Sequence, residues 1–451
     1  MKHNDQYYLE NAPIQKAIAH LSIPMMFGMS VGVLYNILNA FFIGLLHNTA
    51  MLSSVTLGLP IFTVLMAIGN IFGVGGSTYI SRLLGEKKEE SVKAISSFVF
   101  YGSLMAGILV FLVFFIFINP IVHLLGSDYG TFFITKNYSI ALLVGSPLII
   151  ANFAMEQIVR SEGATKVSMN GMFINTIASV ILDPLLILLF HLNVVGAAIS
   201  MGIANGVSLG YYSWYLNKRS EHLTVSWKSL KITKSIASNV FKIGISEFLL
   251  SILLIISTLM LNHYSIMYSE DVIAGFGIAL RIVQFPEFLC MGLFMGVIPM
   301  LAFTYGAKNI ERYKQTIKHT FLSIGLLVLV FSSIVFSLRT HIIELFSKSL
   351  SVVEIGTYIL TAMLISTVFN GFTGFFISIF QAAGKTKQAT IMSVTHGALF
   401  IPIIIILHTY FGLHGIIWSL TATELLTCLM GILLFLFMGK EEPNFKEEIA
   451  V

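Results

Sequence analysis

Six ionisable side chains stand inside otherwise apolar runs of this chain: Glu156, Asp183, Glu247, Arg281, Glu287 and Glu424. A charge is costly in such surroundings, so each is a candidate for holding or moving an ion. Asp183 ranks first. Its neighbours, Ser179-Val180-Ile181-Leu182 before it and Pro184-Leu185-Leu186-Ile187 after it, are almost all apolar. A carboxyl there can exchange a proton with one aqueous face at a time, or coordinate a cation when ionised. A purely structural reading competes: Asp183 would cap a helical segment that Pro184 begins.

Glu156 also has two readings, as a second ion-handling acid or as the partner of Arg160 one helical turn on. It does not pair with Asp183. The turn joining their helices centres near Gly163, and the two acids differ in depth by about 20 Å if both helices are regular. Asn36 and Asn39 share a helix face with Gly32 and Ile43; their carboxamides suit a carboxyl, a substrate or a neighbouring helix. Asn70, Asn175 and Asn370 carry the same ambiguity. Gln284-Phe285-Pro286-Glu287 combines a proline bend with two polar groups, and Met291 beside it suits an adaptable wall for amphipathic or aromatic cations. Arg281 is expected to pair across helices, with Glu247 as its candidate partner. Cys290 and Cys428 lie in apolar runs and read as packing residues, with no disulfide or metal spacing. No HExxH, paired aspartates or intramembrane Ser-His arrangement appears, and histidines such as His47, His408 and His414 sit mainly at loops. Enzymatic chemistry is therefore not expected, and no metal or cofactor is called for.

The elements that must position these groups follow from composition. Of 451 residues, 56% are hydrophobic and 11% charged, about half the usual charged share. Too little polar surface exists to cover a soluble body this size, so the bilayer must be the solvent. Runs of about 20 apolar residues mark crossing helices. Twelve are found, near 17–45, 51–82, 93–119, 138–160, 168–190, 194–217, 237–263, 272–304, 314–338, 353–382, 388–410 and 413–438. The start is polar and lacks a small-residue cleavage site, so the first span is expected to be retained. Twenty-two of the 26 Lys and Arg residues fall on the side of the termini, which places both termini in the cytoplasm. The net charge of +4 reflects these loops and implies no nucleic-acid partner.

The chain repeats. Gly85-Glu86-Lys87 follows the second span and Gly306-Ala307-Lys308 the eighth; Gly163-Ala164-Thr165-Lys166 follows the fourth and Gly384-Lys385-Thr386-Lys387 the tenth, at one common offset. This predicts an all-α membrane protein of twelve transmembrane helices. Two six-helix bundles, 1–217 and 237–451, would relate by a pseudo-twofold axis along the membrane normal and be joined by a polar linker, 218–236. Glycines at four-residue spacing, such as Gly69 and Gly73 or Gly292 and Gly296, suit close helix approach.

Several segments together resemble one family: Leu21-Ser22-Ile23-Pro24-Met25-Met26, Gly73-Val74-Gly75-Gly76-Ser77, Ser81-Arg82-Leu83-Leu84-Gly85, Ile181-Leu182-Asp183-Pro184-Leu185-Leu186-Ile187 and Arg281-Ile282-Val283-Gln284-Phe285-Pro286-Glu287. The chain resembles the multidrug and toxic compound extrusion (MATE) transporters along nearly its whole length. The resemblance implies an antiporter that takes in protons or sodium while drugs leave. It implies an ion or drug role for Asp183 and Glu156 and a cavity position for Met291. The first span offers Asn36 and Asn39 where some members place an aspartate. The tenth offers Asn370 and Gln381 but no carboxylate, where sodium-coupled members have one; that weighs toward Asp183.

The expectation is a multi-pass protein of the cell membrane, functional as a monomer. Its partners would be the lipid bilayer and the cationic amphipathic drugs and dyes it exports by alternating access. The coupling and substrate residues would be Asp183, Glu156, Asn36, Asn39, Gln284 and Met291. The alternative is a flippase for lipid-linked oligosaccharides, which would need a basic cleft; Arg281 is the lone cation read at such depth.

Overall fold

The computed structural model describes residues 5–441, apart from the side chains at 33, 36, 37 and 439–441. Among these residues the regular structure is helical, with no strand. The helices are α1 (Gln6–Glu10), α2 (Ile14–Gly44), α3 (Thr49–Gly85), α4 (Glu89–Ile116), α5 (Ile118–Leu124), α6 (Phe132–Val144), α7 (Ser146–Arg160), α8 (Thr165–Pro184), α9 (Asn193–Lys218), α10 (Lys234–Ile266), α11 (Glu270–Gly306), α12 (Ile310–Phe346), α13 (Leu350–Ala382), α14 (Thr386–Ala398) and α15 (Phe400–Glu441).

These make twelve crossings, with α1 lying outside them. The fourth crossing is α6 and α7 together, bent by 53° at Gly145. Pro147 in the first turn of α7 has no N–H to continue the ladder of α6. The eleventh crossing is α14 continued by α15 as far as Gly412 (φ 56°, ψ −130°), where the chain turns, and the rest of α15 is the twelfth. The eighth crossing, α11, is one continuous helix that contains both Pro286 and Pro299.

The two halves repeat in fine detail. α3 and α11 are each 37 residues long. Each begins with a side-chain cap, Asn48 accepting from Met51 N and Ser269 from Val272 N. Left-handed backbone recurs at Lys87 and Lys308, at Gly163 and Gly384, and at His191 and Gly412. All three pairs share the spacing seen in the sequence, and the third has no counterpart among the loop signatures read there.

Packing shows how the halves are joined. One core cluster, on the side of the chain termini, contains residues of both halves, including Leu21, Phe72, Val240, Leu293 and Phe303. Beyond it, toward the opposite face, each half has a core of its own: Ile43, Leu65 and Leu142 in one, Leu261, Phe276 and Ile359 in the other. Glycines allow the joined side to close. A Cβ on Gly75 would lie 2.0 Å from Val240 O, and one on Gly244 2.0 Å from Ile71 O. Gly85 meets Phe303 O and Gly306 meets Arg82 O in the same way. Gly292 and Gly296 lie against Met26 and Leu21 of α2, and the Ser22 hydroxyl donates to Leu293 O at 3.1 Å. The helices thus touch backbone to backbone near the N-terminal face and part toward the other, leaving a cleft.

Candidate functional site

Asp183 occupies the last turn of α8, fully buried. Its Oδ2 accepts a hydrogen bond from Asn39 Nδ2 of α2 at 3.1 Å. Asn39 also reaches the Tyr35 hydroxyl, one turn earlier, at 3.4 Å. Ser200 of α9 is a further polar neighbour of the carboxyl, and Tyr35 and Tyr138 stand close to it. Asp183 Oδ1 and the Ser200 hydroxyl are both buried, close to each other but without a hydrogen bond of regular geometry. A buried polar atom is normally satisfied. The free carboxyl oxygen is therefore a position that a proton or a cation can complete.

The capping role weighed for Asp183 is not what the side chain does. Pro184 ends α8 rather than starting a helix, and the chain continues as a π-helical turn, Leu185–Leu189. With no N–H on Pro184, the ladder widens at this point. The carboxyl is left to a partner from α2.

Glu156 belongs to a different network. Arg160 Nη1 donates to Glu156 Oε1 at 2.7 Å and to Ser168 Oγ at 2.9 Å, and both charged groups are buried. None of the bonded partners of Asp183 takes part in this network. The side chain of Asn36 lies outside the described residues.

On α11, Arg281, Gln284, Glu287 and Met291 follow one another at spacings of three and four along a broad exposed face. Three polar side chains at membrane depth are unsuited to hydrocarbon, so this face lines the cleft. Among the described residues Arg281 has no ion-pair partner, and the expected contact with Glu247 is absent. Counted from the N-terminal face, Glu247 is 13 residues into α10 and Arg281 is 25 residues from the end of α11, roughly 18 Å apart in depth.

Glu247 accepts instead from Gln381 Nε2 of α13. Nearby, His396 Nε2 of α14 lies 2.7 Å from Glu424 Oε1 of α15, to which Asn370 Nδ2 of α13 donates at 3.1 Å. Glu287 is electrostatically close to both His396 and Glu424. His396 Nδ1 and Glu424 Oε2 are buried and unpartnered. The tenth crossing does carry a carboxylate, Glu354 in its second turn, where none was expected; further along it, Asn370 and Gln381 each hold one supplied by another helix. Reading histidines as loop residues overlooked His396. The repeat offered a signal, since His396 occupies the place that Asn175 holds in the first half. Asn175 accepts from Ser179 at 3.5 Å, one turn before Asp183.

A duplicated twelve-helix bundle, with a cleft between its halves and buried carboxyls in each, defines a membrane carrier. Comparisons with known proteins agree. The MatE family profile matches residues 24–185 and again 243–408. The chain is 42% identical over 434 residues to the multidrug export protein MepA of Staphylococcus aureus (strain NCTC 8325 / PS 47), covering 96% of each chain. It is 39% identical, with the same coverage, to the MepA protein of Staphylococcus saprophyticus. Among solved structures, an outward-facing multidrug resistance MATE transporter superposes with a TM-score of 0.90 at 22% identity, over 99% of both chains. The chain belongs to the MatE family of multidrug and toxic compound extrusion transporters.

Proposed function

We propose that the chain exports cationic amphipathic compounds across the cell membrane in exchange for protons or sodium ions, by alternating access. The moving bodies are residues 1–217 and 237–451, joined by 218–236, and one chain suffices. Both termini are cytoplasmic, so the cleft opens outward. The observation that carries the reading is the Asp183 carboxyl: fully buried, held by neutral Asn39 and carrying one unpartnered oxygen. Occupation of that oxygen by an ion, or its surrender to a cationic substrate, gives the exclusivity that antiport requires. The cleft wall bearing Gln284 and Met291 would receive the apolar body of the substrate. Membrane potential supplies about 2.3 kcal/mol per charge per 100 mV, enough for roughly fiftyfold accumulation. The names of the MepA relatives support a multidrug substrate. A lipid-linked oligosaccharide would need a basic cleft, whereas the exposed face of α11 carries the acidic Glu287 as well as Arg281.

The test is cationic-dye transport in proteoliposomes under an imposed proton gradient, first without sodium. Asp183→Asn should lower coupled transport by about an order of magnitude or more while folding normally. Transport that needs a sodium gradient would identify sodium as the coupling ion. Wild-type rates in Asp183→Asn would sink the proposed role of Asp183.

A further inference from the structure

The segment between α9 and α10 is fastened to the side of α4. The Ser96 and Ser97 hydroxyls donate to Thr224 O at 2.8 and 3.2 Å, Ser97 also to Ser226 O at 3.0 Å, and the Tyr101 hydroxyl to Val225 O at 3.0 Å. Leu223 and Val225 are buried in the shared core. The next residues point outward: Trp227 is 67% exposed and Ile232 76%. Lys228, Lys231 and Lys234 beside them are exposed and, among the described residues, without an ion-pair partner.

The level of this segment in the membrane can be read from α4. No residue of α4 from Ala94 to Leu104 is exposed, and from Met105 onward an apolar stripe faces out through Ile108, Leu109 and Leu112. Trp227 packs edge-on against Tyr101, with ring centroids 4.9 Å apart, one turn before that stripe begins. It therefore stands where hydrocarbon gives way to headgroups, the level that Trp and Tyr favour. Three uncompensated ammonium groups at the same place complement anionic headgroups. We propose that Trp227 and Ile232 insert at this boundary, and that Lys228, Lys231 and Lys234 bind anionic phospholipid headgroups of the leaflet at the N-terminal face. Lipid is favoured over a protein partner because the patch lies at bilayer level. The inference stands apart from the transport reading.

The chain has three tryptophans, so Trp214→Phe with Trp418→Phe leaves Trp227 as the reporter. The full-length protein is reconstituted in vesicles containing phosphatidylcholine and phosphatidylglycerol, with brominated acyl chains on one lipid or the other. Trp227 should be quenched by both and more strongly by brominated phosphatidylglycerol. Lys228→Gln, Lys231→Gln and Lys234→Gln together should abolish that preference, each weakening it roughly fivefold. These side chains are exposed, so folding is not at risk. Trp227 unquenched by either lipid, as for a surface kept for a soluble partner, would overturn the proposal. So would a preference that survives loss of all three lysines.

Discussion

Three buried acids near the N-terminal half illustrate how position decides role. Asp183 has neutral partners and an open oxygen, which suits reversible occupancy. Glu156 is tied to Arg160, and a buried ion pair is held mainly against the cost of leaving one charge alone. Arg160→Leu should therefore destabilise the protein by about 3–5 kcal/mol, and the double variant with Glu156→Leu by less. Thermal melts of the single and double variants, read beside dye transport, separate a packing role for Glu156 from an ion-handling one. Glu162 lies in the turn between α7 and α8, outside the membrane. Burial, opposed by hydrogen bonds from Ser220 and Tyr215, pushes its carboxyl up to about 7. The folded protein thus holds this proton more tightly than the unfolded chain does. Stability is lost as pH rises from the ordinary carboxyl range through about 7, and the penalty is complete above it. Glu162→Gln should stabilise the protein at about pH 8 by up to about 3 kcal/mol, read as a higher melting temperature, and give no gain near pH 4. Equal melting of the two proteins at both pH values would show that the carboxyl carries no such burden.

Elements were far more legible than sites. Runs of apolar residues located all twelve crossings, most to within about four residues, because hydrocarbon demands about 20 apolar residues and internally bonded helices. The larger departures are α12, which runs on to Phe346, and α6, which begins already at Phe132. The repeat was equally plain, since Gly163 and Gly384 mark turns with φ of 90° and 68°. α1 escaped because five residues carry no period. The π turn after Pro184 escaped because no residue pattern distinguishes it from α-helix. His396 and Glu424 escaped as a pair because only folding brings α14 and α15 together. The small-residue pairs were read as packing, and the structure adds which face each packs on. Gly69 and Gly73 meet α7 within their own half, whereas Gly292 and Gly296 meet α2 across the halves. Substitution should therefore have different consequences. Gly75→Val or Gly244→Val forces apart backbones that now touch, and so should favour opening at the N-terminal face. Gly73→Val, against Ala154 and Gln157, should lower stability without that bias. Spin-label distances between α3 and α10 at that face would tell the two apart; equal distances in all variants would contradict the packing argument.

At the scale of the whole molecule, the closed face is spanned by more than helix contacts. Arg312, at the start of α12 in the second half, reaches over to the first few residues of the chain. Its Nε, Nη1 and Nη2 donate to Leu9 O, Ala12 O and Tyr8 O at 2.9, 2.7 and 3.0 Å. These carbonyls belong to α1 and the turn after it, where a short helix leaves acceptors unmet. The planar fork of guanidinium suits all three at once, which an ammonium cannot match. α1 in turn is held to the first half, with Tyr8 stacked on His20 at 3.6 Å and Leu9 and Ala12 fully buried. This side chain, together with the packing of α1 on α11, ties the N-terminal segment to the opposite half, and opening the N-terminal face must loosen it. A charged hydrogen-bond donor of this kind contributes about 1.5–3 kcal/mol, so its loss should raise the open population roughly tenfold or more. Ser22 provides the reporter, since its hydroxyl now bonds across the halves and the two native cysteines are buried. In Ser22→Cys protein, Arg312→Ala should raise labelling by an impermeant thiol reagent from the N-terminal face by about that factor, with Arg312→Lys in between. Unchanged labelling in a folded Arg312→Ala variant would mean that helix packing, without this side chain, keeps the face closed.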